Sequence, residues 1–390
     1  MTMLAKSVHA SAKPVVCQVL HTLGVGGAEV LATRLVRRLK DDFQFVFACL
    51  DELGTLGEEL RDEGFTVEVL GRRQGLDWRC VRRLAAFAHD RQVDLIHAHQ
   101  YTPFFYCRAP GWVGWRPPVL FTEHGRFYPD LPSPKRMLFN RLFLRRSDRV
   151  VAVGESVKRA LVENEGIPAE RIEVIYNGVR LEQFAVDRDA RERVRRELAI
   201  AADAPVAIQI ARLDPIKDHS TALRAARRLR EQLPDFQLLI VGDGPERGAI
   251  EALIGELDLG GCVRMLGQRS DIRELLSAAD VFLLTSLSEG IPVTLIEAMC
   301  AGLPVVSTDA GGVGEVVLAE QTGMLLPIGD DAGLAAALVG LHRDPVRCQT
   351  IGERGRNIAQ ATFSEAAMHD GYSDVYRQML SRQAALKLSA

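Results

Sequence analysis

Several signals that would fix a function quickly are missing from this chain. Its seven cysteines (Cys17, Cys49, Cys80, Cys107, Cys262, Cys300, Cys348) are odd in number and scattered. No pair has the spacing of a zinc site or a redox motif, so they read as reduced, buried thiols of a cytosolic protein. No run approaches the roughly 18 apolar residues of a membrane-spanning helix. The N-terminal stretch MTMLAKSVHASAK has no apolar core of the kind a signal peptide carries. The expectation is a cytoplasmic chain, at most resting on the inner face of a membrane. A formal net charge of -3 is too balanced for a nucleic-acid binder as a whole. There is no low-complexity tract and no evident sequence repeat.

What is present is length and rhythm. With 390 residues the chain exceeds one ordinary domain. Short β-rich runs (VVCQVLH, FQFVFACL, FTVEVL, DLIHAH, PVLFTEH, RVVAVG) alternate with amphipathic ones (AEVLATRLVRRLK, RCVRRLAAFAHD, ESVKRALVENEG). Such alternation implies parallel sheets with crossover helices. The rhythm breaks over YNGVRLEQFAVDRDARERVRREL, which is polar and helix-prone. It then resumes with VAIQIAR, FQLLIVGDG, VRMLG, ADVFLLTS, PVVSTD and GMLLP. The fold class is therefore α/β, with two doubly wound halves expected to face a central cleft. Ligands of such sheets bind beyond the carboxyl ends of the strands, so the loops there are the places to look.

In the first half, HTLGVGGAE opens a helix with Gly24, Gly26 and Gly27, a backbone that suits a phosphate. It is not a full G-x-G-x-x-G, and no acidic residue about twenty positions on marks a dinucleotide ribose site. His97 and His99 lie on one face of a strand end, and Glu123 and His124 end another. Zinc at these histidines lacks a ligand set. The plain alternative for each is a satisfied structural histidine.

In the second half, Arg212 and Lys217 flank Pro215 in ARLDPIKD, where two cations could neutralise a diphosphate. The alternative is two solvated charges. Gly242-Asp243-Gly244-Pro245 forms a turn, and Gln268 and Arg269 sit in the loop after the next strand. In SEGIPVTLIEAMCAG, Glu289 precedes a helix whose first turn suits Pro292, and Glu297 lies inside it. A rise of about 1.5 Å per residue would hold the carboxylates roughly 8 to 12 Å apart along the axis. That is the outer edge of an inverting glycosidase pair and equally suits two polyol groups of one extended ligand. The apolar run around Glu297 predicts a largely buried helix, in which a carboxylate needs a partner. Gly311 and Gly312 offer a second anion-binding turn. The D-x-D of Asp187 and Asp189 lies in the polar connector, away from any strand end.

Taken in order, GVGGAE, HAH, TEHG, YNGV, ARLDPIKD, VGDGP and SEGIPVTLIEAMCAGLPVVSTDAGG resemble the retaining glycosyltransferases of family 4, with GT-B architecture, over nearly the whole chain. The resemblance implies an acceptor-binding domain over 1–182, a donor-binding domain over 183–361, and C-terminal helices over 362–390 that cross back onto the first. It implies that Arg212 and Lys217 bind the diphosphate of a nucleotide-sugar donor. Glu289 would hold the transferred sugar, with backbone near Gly290, Ile291 and Pro292. Glu297 would hold the ribose, and Gly26 and Gly27 would close over the phosphates. Gly242, Gly244, Gln268 and Arg269 complete the donor side. His124 would lie near the reacting sugar, with His99 as a second acceptor-side candidate. The implied enzyme is a hexosyltransferase-type transferase using a uridine diphosphate sugar, with no cofactor and no metal. Its acceptor would be a glycan or lipid-linked molecule in polysaccharide or glycoconjugate biosynthesis.

Two basic segments bear on that acceptor. Arg72, Arg73, Arg79, Arg82 and Arg83 surround Trp78. The stretch PKRMLFNRLFLRRSDR mixes Lys135, Arg136, Arg141, Arg145 and Arg146 with apolar residues. The second could rest on anionic lipid; the alternative is a surface helix whose apolar side faces the core. Rival functions are a nucleotide-sugar epimerase of the same architecture, a nicotinamide-dependent oxidoreductase, and a non-catalytic sugar-nucleotide sensor. The incomplete glycine fingerprint disfavours the oxidoreductase.

Overall fold

The computed structural model describes residues 13–109, 116–125, 129–180, 184 and 188–388. Asp187 of the D-x-D lies outside these residues, as do 126–128 of the His124 loop and 1–12 of the N-terminal stretch.

Among the described residues thirteen strands form two sheets. The first contains β1 (Val15–Thr22), β2 (Gln44–Glu52), β3 (Thr66–Val69), β4 (Leu95–His99), β5 (Val119–Glu123), β6 (Arg149–Ala152) and β7 (Ile172–Val174), in the order β3-β2-β1-β4-β5-β6-β7. The second contains β8 (Val206–Ile210), β9 (Gln237–Val241), β10 (Val263–Gly267), β11 (Val281–Leu284), β12 (Val305–Thr308) and β13 (Gly323–Leu326), in the order β10-β9-β8-β11-β12-β13. β1 pairs in parallel with β2 and β4, and β8 with β9 and β11. Parallel strands are covered by helices on both faces, which is why β4, β5, β8 and β11 are buried from end to end. These are two doubly wound sheets, each with its order reversing beside its first strand, between β1 and β4 and between β8 and β11.

By contacts the chain divides into two compact units, neither continuous in sequence. One takes Met1–Glu123, Leu138–Val151 and Gly371–Ala390; the other takes His124–Met137 and Ala152–Asp370. In the first, a polar network fastens the C-terminal helix (Glu365–Leu388) to the sheet. Gln18 Nε2 donates to Tyr376 Oη at 3.0 Å, and Tyr376 Oη lies 2.7 Å from His97 Nδ1. On the other side of the ring, His97 Nε2 lies 2.8 Å from Thr122 Oγ1, so both ring nitrogens have a hydroxyl partner. In the same unit Arg108 and Asp148 form a fully buried ion pair, with Asp148 also accepting from Val119 N at 3.1 Å and Arg145 N at 2.8 Å. Among the described residues no helix is long and apolar enough to cross a membrane.

Candidate active site

The second unit is built around the reversal point between β8 and β11. After β8 the chain passes Arg212 and tightens into a 3₁₀ turn, Pro215–Lys217. Asp218 follows at φ +41, a left-handed conformation. Asp218 can hold it because its carboxylate caps the next helix (His219–Gln232), accepting from Thr221 N at 3.3 Å and Ser220 Oγ at 2.6 Å. After β11 the chain runs through Thr285, Ser286 and Glu289. The two loops are tied together: Leu287 N donates to Ile216 O at 2.8 Å, and Thr285 Oγ1 lies 2.9 Å from Asp218 O.

That tie brings two candidates into contact. Lys217 Nζ donates to Glu289 Oε1 at 2.6 Å. Ser286 Oγ donates to the same oxygen at 2.6 Å. Glu289 is 9% exposed, so its charge is held where water reaches it poorly and both donors matter. Its backbone is clamped as well. Gly312 N donates to Glu289 O at 3.1 Å. Gly311, at φ +60, packs so closely on the Glu289 main chain that a methyl there would overlap the Glu289 carbonyl oxygen. Gly290 is pressed in turn against the His124 carbonyl, leaving no room for a side chain. Asn177 Nδ2 donates to Ile291 O at 2.9 Å. Lys217, Glu289, Gly290, Ile291 and His124 thus share one neighbourhood. Among the described residues no hydrogen bond is made to the amides of Gly290 and Ile291.

His124 is half-buried, and burial pushes its imidazole down to about 4, so it is neutral at neutral pH. The helix after Glu289 spans Val293–Cys300, with Pro292 just before it in extended conformation rather than in its first turn. Leu295, Ile296, Ala298, Met299 and Cys300 are buried and Glu297 is half-buried, so the expected apolar setting of this carboxylate is present.

Other sequence candidates sit differently. Arg212 is exposed and ion-paired with Asp214. Arg269 is committed to Asp271 at 2.5 Å and Glu197 at 3.2 Å, bonds that raise its pKa further; Gln268 beside it is exposed. Gly242, at φ +140, and Gly244 are needed because a side chain would overlap the carbonyls of Ala211 and Leu213; the turn buttresses the Arg212 loop. Gly311 and Gly312 precede a helix of only four residues, Val313–Val316. They hold Glu289 instead of forming an anion-binding helix start. Glu315 of that short helix accepts from Glu155 N and Ser156 N, each at 2.6 Å, filling the start of helix Glu155–Glu165 with the protein's own carboxylate.

In the first unit Gly26 precedes helix Gly27–Leu39 without a side-chain cap; Gly27 is exposed. His99 is 3% exposed, and its Nε2 bonds Gln18 Oε1 at 2.7 Å. Burial in the Gln18 network gives it a structural place. Asp189 lies in helix Arg188–Glu197. Among the described residues no three of His, Cys, Asp and Glu gather as metal ligands.

Sequence reasoning passed over Ser286, Asn177 and Glu315. Ser286 had a signal, a hydroxyl at a strand end three residues before a candidate carboxylate. Asn177 lies within YNGV, where nothing local in the sequence assigns it a role.

Comparison with known proteins places this arrangement. The model for glycosyl transferases group 1 matches residues 190–358, and that for glycosyltransferase family 4 matches 25–183. EpsF of Bacillus subtilis (strain 168), provisionally named a glycosyltransferase, is 31% identical over 309 residues, 76% of this chain and 79% of EpsF. The chain belongs to glycosyltransferase family 4. The amylovoran biosynthesis glycosyltransferase AmsK of Erwinia amylovora is 34% identical over 271 residues, covering 67% of this chain and 60% of AmsK. In structure, this glycosyltransferase matches Anabaena HepE, solved in complex with UDP-glucose, with a TM-score of 0.81 and 23% identity over 93% of this chain and 99% of HepE. The fold is GT-B, two parallel-sheet domains.

Proposed function

We propose that this glycosyltransferase moves a sugar from a uridine diphosphate sugar to a hydroxyl of a glycan or lipid-linked acceptor, with retention at the anomeric carbon and without a metal. The setting we propose is cytoplasmic assembly of a polysaccharide or glycoconjugate. The observation that carries the reading is the apposition of Lys217 and Glu289, 2.6 Å apart at the reversal point of the second sheet. A cation for a diphosphate and a buried carboxylate for sugar hydroxyls meet where the fold places its ligands.

The chemistry follows from these groups. Breaking the bond between sugar and diphosphate builds negative charge on the leaving phosphate. Lys217, Arg212 and the amides of Gly290 and Ile291 would stabilise that charge, taking the part a metal would otherwise play. The sugar acquires positive character, which the Glu289 carboxylate and nearby carbonyls ease. The acceptor hydroxyl attacks from the face the phosphate leaves, and the phosphate takes its proton. Neutral His124 can accept or donate one hydrogen bond to the sugar without adding charge. The UDP complex of HepE supports the choice of base, and the polymer named with AmsK supports the setting.

Membrane contact fits the helix Pro134–Phe143. Its Phe139 ring packs against Phe105 with centroids 4.8 Å apart, while Leu138 and Leu142 are 58% and 65% exposed beside exposed Arg141, Arg145 and Arg146. An apolar pair ringed by cations suits an anionic lipid surface.

Incubation with a panel of nucleotide sugars and acceptors, with and without EDTA, tests the assignment. Acceptor-dependent release of nucleoside diphosphate that survives EDTA, with a product of the donor's anomeric configuration, is the expected result. Sugar isomerisation without transfer would mark an epimerase, and binding without turnover a sensor.

A further inference from the structure

Both cations assigned to the diphosphate are already paired with the protein's own carboxylates, Arg212 with Asp214 and Lys217 with Glu289. The two pairs differ in burial. The Arg212 side chain is 68% exposed, so exchanging Asp214 for a phosphate costs little. The side chains of Lys217 and Glu289 are 22% and 8% exposed. Their main chains are fixed by Leu287 N to Ile216 O at 2.8 Å and Gly312 N to Glu289 O at 3.1 Å. The pair can therefore open only by rotation of the two side chains.

We infer that the Lys217–Glu289 pair is a selectivity element that discriminates a nucleoside diphosphate sugar from the same nucleoside diphosphate without its sugar. The inference rests on the sugar-nucleotide reading of this site. A diphosphate that draws Lys217 away leaves Glu289 buried with Ser286 as its remaining donor. A buried carboxylate stripped of its countercharge is unfavourable. A sugar on the diphosphate brings hydroxyl donors that replace Lys217 at Glu289. A bare diphosphate brings none. The same opening is thus compensated for the donor and uncompensated for the product, so the site weakens its hold on the leaving nucleotide once the sugar has gone. Ser286, fully buried and 2.6 Å from Oε1, is a positioning residue that reduces the penalty of losing Lys217.

The test is calorimetric titration of the diphosphates of uridine, guanosine, adenosine and thymidine, and of their glucose conjugates, at fixed salt. The proteins compared are wild type, Lys217→Ala, Glu289→Gln and Ser286→Ala, each checked for folding by circular dichroism. Lys217→Ala should weaken the nucleotides that bind. Glu289→Gln should tighten the bare diphosphate by about tenfold while failing to tighten its glucose conjugate. Ser286→Ala should act oppositely, weakening the bare diphosphate severalfold. Opposite signs at two residues touching one oxygen are not expected from general loosening of the fold. If Lys217→Ala weakens binding but Glu289→Gln leaves the bare diphosphate unchanged, the inference is overturned and the site reading stands. If Lys217→Ala changes nothing, the site reading fails and the inference with it.

Discussion

Replacing Gly311 with alanine separates two costs that the structure places on one residue. Gly311 has φ +60, and its missing Cβ would overlap the Glu289 carbonyl oxygen and stand 3.1 Å from the Glu289 nitrogen. Gly329 has φ +80 but nothing within 4 Å of the same position. Alanine at Gly329 pays only for a left-handed backbone, about 1–2 kcal/mol. At Gly311 the backbone term is joined by overpacking, typically about 1–3 kcal/mol, because the obstacle is main chain and cannot swing aside. The expected destabilisation is therefore about 2–5 kcal/mol for Gly311→Ala. The clash also bears on the residue whose carboxylate meets Lys217. A displacement of about 1 Å at a positioned group can lower a rate by a hundredfold. Thermal melting and kcat/KM for transfer, measured on both variants, decide the matter. Gly329→Ala should lose a little stability and keep its rate; Gly311→Ala should lose more stability and most of its rate. If the two variants behave alike in both assays, the backbone clamp on Glu289 is not what holds the site.

The other predictions bear on separate parts of the molecule. Lys217→Ala and Glu289→Ala should each lower kcat/KM for transfer by about a hundredfold or more with an unchanged circular dichroism spectrum; near-normal rates in both would refute the site. Arg108→Ala strands Asp148, which is 0% exposed, and should cost about 3–5 kcal/mol in urea unfolding. Tyr376→Phe removes the hydroxyl shared by Gln18 and His97 and should cost about 1–3 kcal/mol, read as a lowered urea midpoint. His219 is 3% exposed, and burial, reinforced by Lys217, pushes its pKa from 6.5 down to about 4. Between those values the unfolded chain takes the proton and the folded chain does not, so stability falls as pH falls through that window. Urea unfolding at pH 7 and pH 5 should differ by about 2 kcal/mol less in His219→Leu than in wild type.

Much of this was legible from sequence because it is local. The alternation of β-rich and amphipathic runs located twelve of the strands within three residues at their ends. β7 escaped because three residues, Ile172–Val174, are too few to show a period. What sequence withheld was pairing. Lys217 and Glu289 were each picked out from their own loops, yet 72 residues separate them, and only the strand order β9-β8-β11 makes them neighbours. Distance along the chain hid Arg269 in the same way, since Glu197 lies 72 residues away from it. His99 is an acceptor-side candidate because it ends a strand, and its burial depends on what covers that end. The covering helix comes from the far end of the chain, where Tyr376 is 358 residues from Gln18. The two glutamates of SEGIPVTLIEAMCAG show the consequence most plainly. Their spacing raised the question of what they do for each other, and the fold answers for Glu289 with a lysine and a serine. Spacing within a segment therefore says which groups a helix carries past one another, while the meaning of a charge waits on the sheet that delivers its partner.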